Sequence, residues 1–383
     1  MKKWIYSILI FLCLIVVAFQ WKEKSKEVVL EKEEFCKYSY TYNPDIWSNL
    51  RVNVIEFETP INSSCGNFCV YQDKVYYLVD FSDYMTNKTE TDAKEFAPEY
   101  NTQVRVYDSE SGEDKILYQY HEERCINVTD IRCNGRYVIW EEYVENTWNI
   151  RCLELEILNN PKVIVSSEEG SGGFWSITPN LIEDNLYWYD QNRNGSTCLK
   201  QYNIQSGKTD VVVEECDLAS PYEHVAIDEG IITTYRANKI KGYDIVSNEV
   251  DTFKQVQYLS CDSTVCKPIS DRTRCIWSEG NELQPEKIYS YVFENEEKEV
   301  IEIEDLFSYA LLDQYMIVNS YGEQEGLYCY DLINKQYGKL ELLDNNTIML
   351  FTFQSSTGDI YCEIVDKDTI QQPKLKILHV TIK

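Results

Sequence analysis

The sequence predicts an all-β chain folded as a β-propeller, with seven blades and with six or eight as alternatives, behind an N-terminal transmembrane helix. Three observations predict it. The chain carries 30 Tyr, 13 Phe and 8 Trp in 383 residues, side chains that fit a pleated, half-buried surface. A short strand closing in a polar turn recurs at spacings of 33 to 49 residues, and four short strands with their turns occupy about 40–45 residues in a propeller blade. A second apolar strand stands upstream of each copy.

The first element is the run Trp4 to Trp21, uncharged and preceded by Lys2 and Lys3. It sits near the lower end of the length that spans a bilayer, with Trp4 and Trp21 as interface anchors. Residues 1–21 therefore read as a membrane anchor. A signal peptide cleaved after Val16-x-Ala18 is the competing reading. Lys22, Lys24 and Lys26 follow the run, so the Lys/Arg count does not set orientation. The expectation of a large extracytoplasmic domain, single-pass at the cell membrane, rests on the export character of a short leading anchor. Residues 22–45, rich in Lys and Glu and then in Tyr, read as a stalk, and 46–383 as the propeller.

Within that domain, Ser48 to Phe57 reads as a strand before blade one, able to complete a final blade built from 345–383 and so hide an open edge. The recurrent turn is clearest at Val104-Arg-Val-Tyr-Asp-Ser-Glu-Ser-Gly112 and Lys200-Gln-Tyr-Asn-Ile-Gln-Ser-Gly207. It is read again at Ile240 to Glu249 and Leu327 to Lys335, and more loosely at Ile150 to Leu155, Ile288 to Phe293 and Ile360 to Glu363. Asp or Asn after the aromatic bonds the backbone two residues on, and Gly or Asn supplies a positive φ. Aligned, the copies put Val106, Cys152, Gln201, Gly242, Ser290, Cys329 and Cys362 in one column. The upstream strands are Val75–Val79, Tyr137–Trp140, Leu186–Tyr189, Ile231–Tyr235, Cys275–Trp277, Tyr315–Val318 and Ile348–Phe353.

These turns resemble those of bacterial TolB-like β-propellers and, more loosely, of quinoprotein-type and other repeat propellers, whose blades carry an aromatic-Asp-x-x-Ser/Thr-Gly turn like Tyr202 to Lys208. The resemblance covers the ectodomain at the level of architecture and implies no catalytic residues, since fold does not fix function. WD dipeptides and the tryptophan docking motif of quinone-binding members are absent, so no quinone is implied.

Chemistry is sparse. His121, His224 and His379 have no motif partners, and no zinc-protease helix, nucleophile elbow or phosphate loop is present. A net charge of −28 disfavours nucleic acid and anionic lipid and suits either solubility or a basic partner. All of the 14 Cys except Cys13 lie beyond the anchor. Cys65 and Cys69 on an extended strand would stand about 13 Å apart, out of disulfide reach, so most thiols read as small buried hydrophobes.

Asp80, Asp83, Glu141, Glu142, Asp190 and Glu279 each follow a second strand and are expected on one rim of the disc, as a candidate site for a cationic group, a basic peptide or a metal. Plain solvation is the alternative. Asp190, Asn192 and Asn194 copy the first half of a calcium loop, although Gln201 stands where the twelfth-position Glu belongs. Asn194-Gly195 is in any case a strong hairpin signal. No cofactor is expected, calcium being the one candidate. The sequons at Asn62, Asn87, Asn127, Asn194 and Asn345 are taken as chance. The insertion 82–101 is the best single recognition loop. The function expected is a membrane-anchored, extracytoplasmic scaffold binding an envelope protein, a peptide or a glycan. A propeller enzyme acting on glycans or peptides and a non-catalytic sensor or assembly ectodomain are the alternatives.

Overall fold

The computed structural model describes residues 27–31, 35–60, 63–81, 102–120, 127–144, 147–157, 160–167, 178–191, 196–217, 225–238, 242–262, 264–279, 287–303, 305–321, 325–341, 347–354, 359–366 and 374–383. The expected membrane anchor, the loop 82–101, His121 and His224 lie outside them. No helix among the described residues is long and apolar enough to cross a membrane.

Seven sheets, each built on four antiparallel strands, form seven blades. Blade one comprises Ser64–Tyr71, Lys74–Asp80, Gln103–Asp108 and Glu113–Gln119. Blades two to six run from Asn127 to Ser166, Asn180 to Cys216, Ala226 to Cys261, Cys266 to Glu302 and Leu306 to Lys339. In these six, chain order runs from the innermost strand outward. The second strands are buried on both faces and so read as unbroken apolar runs: Val75 through Val79 are at most 4% exposed, as expected for a strand walled in on two sides.

Seven apolar clusters, one between each pair of neighbours, hold the ring together. Tyr76 and Leu78 of blade one meet Ile131, Val138 and Trp140 of blade two. The series continues round to Tyr361, Leu375 and Ile377 of blade seven, which pack on Phe68, Val75 and Tyr77 of blade one. Each blade packs against both neighbours through these clusters, while the outermost strands keep exposed residues such as Val54 and Ile116.

Closure is made as the sequence suggests. Strand β4 (Leu50–Glu58) pairs antiparallel with Lys374–Ile382, Leu50 opposite Ile382 and Glu58 opposite Lys374. It becomes the outermost strand of blade seven, whose order is Thr347–Gln354, Ile360–Asp366, Lys374–Ile382, β4. That order corrects the alignment of the last unit. Ile348–Phe353 belongs to the innermost strand and Cys362 to the second, because the fourth strand is borrowed from the N-terminus. The short final spacing reflects this one-strand shift.

Blade four needs a second correction. Its third strand is Tyr243–Glu249, and the residues read as its turn lie inside that strand. The true turn closes with the Phe253 N–H on the Glu249 carbonyl at 2.9 Å, matching Gly112 on Asp108 and Gly207 on Asn203, both at 2.8 Å. Phe253 takes a φ of +48° where blades one and three have glycine and blades five and six have Glu296 and Lys335, at +56° and +54°. Gly242, at φ +87°, precedes the strand, and the column position falls to Ser247. Elsewhere the expected turn chemistry is present. The Asp108 carboxylate accepts the N–H groups of Glu110 and Ser111 at 3.1 and 3.0 Å, and Asp331 accepts those of Ile333 and Asn334 at 3.0 and 2.8 Å.

The segment 22–45, read as a stalk, contributes three further strands. β1 (Glu27–Leu30), β2 (Cys36–Lys37) and β3 (Thr41–Tyr42) pair in parallel with the outer strands of blades four, five and six. Leu30 is 1% exposed and packs with Tyr235, Ile245, Leu259 and Trp277. Phe35 lies edge-on to Trp277 and Tyr289 at 5.7 and 4.9 Å. The Tyr40 hydroxyl and the Lys335 ammonium both donate to the buried Glu299, each at 2.8 Å. A one-turn 3-10 helix, Ile46–Asn49, then leads into β4, pinned by the Trp47 indole donating to the Gly338 carbonyl at 3.0 Å. The chain thus wears a belt from blade four to blade seven.

Among the described residues no thiol is in a disulfide, and most of the thiols are buried. Cys65 packs toward blade seven and Cys69 toward blade two, because Asn67, at φ +51°, sits in a bulge rather than a turn. Burial pushes the Cys133 thiol up to about 11 and that of Cys275 to about 12.

Candidate functional site

The second strands of blades two, three and five share a motif, Trp140-Glu-Glu142, Trp188-Tyr-Asp190 and Trp277-Ser-Glu279. Each Trp is buried and stands directly opposite a third-strand residue: Arg151, Lys200 and Tyr289 respectively. The carboxylate two residues on lies on the same face, diagonal to that partner and within reach of a long side chain. The three pairs follow from this geometry. Glu142 accepts from Arg151 Nε at 2.6 Å, Asp190 from Lys200 Nζ at 2.7 Å, and Glu279 from the Tyr289 hydroxyl at 2.6 Å.

Blade two carries the most developed version. The Trp140 indole donates to the Tyr120 hydroxyl at 2.7 Å, and Tyr120 donates to Glu142 at 2.7 Å. Burial, then the carboxylate of Glu142, pushes the Tyr120 phenol well above its ordinary range. Glu142 is 2% exposed and Glu141 is fully buried. The two lie inside the strand Tyr137–Val144 rather than beyond it. Glu141 takes a hydrogen bond from Thr129 on the innermost strand at 2.7 Å. A bulge between Trp140 and Glu141 leaves Asp130 at φ +47°, its carboxylate 2.5 Å from Arg132. Burial pushes the Asp130 carboxyl up to about 7, Arg132 pulls it back, and Glu141 pushes it up again.

Of the six rim carboxylates, Glu142, Asp190 and Glu279 occupy one register position in three blades. Asp80 ends its strand half-buried, one residue past the equivalent Val79. Blade one replaces the motif with Arg105, which meets Asp114 of the outer strand at 2.8 Å, with the Tyr77 hydroxyl on the same carboxylate at 2.9 Å. Asp83 lies outside the described residues, as do Asn192 and Asn194. Both Asp190 oxygens are engaged, one by Lys200 and the other by the Gln191 N–H at 2.7 Å, so a cation arriving there must displace the ammonium. His379 lies on blade seven, stacked on Tyr361 at 4.4 Å with its Nε2 3.3 Å from Asp359.

The partners Arg105, Arg151 and Lys200 escaped the sequence reading. Their signal was present: each stands one residue before the repeat column, at Val106, Cys152 and Gln201. Chemically, the pairs orient all three carboxylates, and Arg151 and Lys200 neutralise Glu142 and Asp190, while Glu279 receives the neutral Tyr289 hydroxyl. None of the three is held as a free base.

No family model and no curated protein matches the sequence. The fold is shared with many solved propellers. A prolyl endopeptidase structure aligns with a TM-score of 0.54 at 10% identity over 85% of this chain, which spans only 51% of that enzyme. The β-propeller domain of the Trilobed protease from Pyrococcus furiosus aligns with a TM-score of 0.53 at 13% identity, covering 83% of this chain and 93% of the domain. An oligogalacturonate lyase in complex with manganese gives 0.52 at 11% identity, covering 90% and 98%. TolB from Acinetobacter baumannii aligns more weakly, at 0.38 and 8% identity. At these identities the likeness is one of fold: the chain is a seven-bladed β-propeller.

Proposed function

We propose that the protein is a binding scaffold of the cell envelope, tethered by its N-terminal apolar run and presenting the propeller outside the cell to a protein, a peptide or a glycan. The observation that carries this reading is the pairing of the second-strand carboxylates. An acid/base enzyme needs a carboxylate poised to exchange a proton with substrate. Here Glu142, Asp190 and Glu279 are each held by a fixed donor. A rigid ring whose second-strand carboxylates are already hydrogen-bonded within their blades suits recognition through loops and edges.

The test is capture by the full-length chain, solubilised in detergent, from a membrane and envelope extract. Wild type is compared with a variant in which Asp80, Asp83, Glu141, Glu142, Asp190 and Glu279 are changed to their amides. A specific partner retained by wild type supports the scaffold, and loss in the variant assigns the rim. Absence of any saturable partner, with turnover of fluorogenic peptides or oligosaccharides instead, overturns it.

A second reading is favoured by one finding, the alignment with about half of a prolyl endopeptidase. In that reading the propeller is part of a peptidase-like assembly. A hydrolase among the captured partners would select it.

A further inference from the structure

Three large apolar side chains are exposed at one place in three consecutive blades. Ile116, Val163 and Val211 are 47%, 43% and 47% exposed. They stand opposite Arg105, Arg151 and Lys200, residues at the same distance from the ends of their third strands. The equivalent outer-strand residues in blades four and five are Tyr258 and Val300, opposite Val246 and Tyr289. Both are only half-exposed, because the belt covers them: Glu27 pairs with Tyr258 and Lys37 with Val300. The exposed apolar positions therefore mark the blades that the belt does not reach. Among the described residues no strand pairs with the outer edges of blades one, two and three.

We propose that the outer edge of blade three, Lys208–Cys216, receives an extended segment of a partner protein as a fifth, parallel strand, and that this segment alternates basic and apolar residues. The inference rests on the scaffold reading above and names the surface and the chemistry of its partner. Strand addition to an exposed edge is a general recognition mode, in which backbone bonds supply affinity and alternate side chains supply specificity.

Continuity supports the site. On blade four β1 lies along Tyr258–Cys261, and the corresponding stretch of blade three is Val211–Cys216, longer by two residues because of two bulges. Both stretches end in a buried cysteine, at 3% and 5% exposure. This edge strand has nine residues, against seven and five on blades one and two. Its composition selects the partner. Val211-Val-Val213 is followed by Glu214-Glu215, whereas Asp210 before it already pairs with Lys208 at 2.8 Å, so the acidic surplus lies on the C-terminal side. An exposed apolar edge invites pairing. The flanking acids and the net charge of −28 repel a second copy and favour a cationic strand.

The experiment uses the full-length chain in detergent micelles and a fluorescein-labelled heptapeptide, Lys-Val-Lys-Val-Lys-Val-Lys, followed by anisotropy and by amide hydrogen exchange. A block peptide of the same composition, four Lys then three Val, is the control for charge alone. The alternating peptide is expected to bind at least about tenfold more tightly than the block peptide and to slow exchange within Lys208–Cys216. Val211→Lys, and separately Glu214→Lys with Glu215→Lys, should each weaken it by about tenfold or more without lowering the melting temperature. Val163→Lys on blade two should leave it unchanged.

Equal binding of both peptides overturns the proposal, as does a blade-three edge already protected by a second copy or by the chain's own N-terminal residues. Protection confined to the second strands overturns the edge site while leaving the scaffold standing. Loss of all partner capture in the earlier experiment overturns the scaffold itself.

Discussion

Leu30→Ala tests whether the belt is part of the folded core. Leu30 is 1% exposed, contributed by a four-residue strand to a cluster formed otherwise by blades four and five. Truncating a buried leucine costs about 2–5 kcal/mol, the transfer of the lost atoms plus the cavity they leave. With an unfolding entropy of about 2.1 cal/mol/K per residue, a chain of 383 residues loses roughly 2.5–6 °C in Tm. Calorimetry of the full-length chain in detergent gives the number directly, with Tyr38→Ala as control because that side chain is 39% exposed. If Leu30→Ala melts within about 1 °C of wild type, β1 is not packed as described and the belt reasoning fails. A separate early transition would show instead that the belt detaches before the ring opens.

Two further outcomes are expected. Asp130 has a folded pKa of about 7 against about 3.9 in an unfolded chain. Between those values the folded protein holds the extra proton, so stability falls as pH rises from about 4 to about 7, by up to about 4 kcal/mol. Glu363, raised by burial to about 7, acts in the same direction. Asp130→Asn should flatten the slope in a denaturant series from pH 4 to 8, and an unchanged slope would refute the assignment. Calcium should leave the melting temperature unaltered, because Lys200 already holds Asp190. A rise of several degrees with calcium, abolished by Asn192→Ala, would show that the loop completes a metal site.

The ring was legible in the sequence because a strand buried on both faces is largely apolar, and six of the runs read as second strands recur at blade spacing. The turns were legible where glycine or a short polar side chain marks them, as at Asp108 to Gly112. Blade four hid its register because Phe253 adopts the positive φ that Gly112 and Gly207 take in blades one and three, and Gly242 offered a false landmark. Blade seven hid its order because its outermost strand comes from the other end of the chain. β2 and β3 could not be foreseen from pattern: two-residue strands have no alternation to read, and their anchors, such as Tyr40 on Glu299, are polar. At the candidate site the acids were visible but their partners were not, since diagonal pairing depends on cross-strand register, which single-sequence periodicity does not set.

The belt has a consequence for biogenesis. Residues 27–58 are made long before the strands they pair with, for Glu27 docks on Tyr258 and Leu50 on Ile382. That segment must wait for blades four to seven before it finds its place. Blades one to three can assemble from local hairpins as they emerge, whereas the finished circle depends on the most distant contacts in the molecule. Such contacts make for slow folding, so ring closure is set to be the last and slowest event of maturation. Until it occurs, the outer edges of blades four to six stand exposed, and a chaperone that shields strand edges would act on that interval.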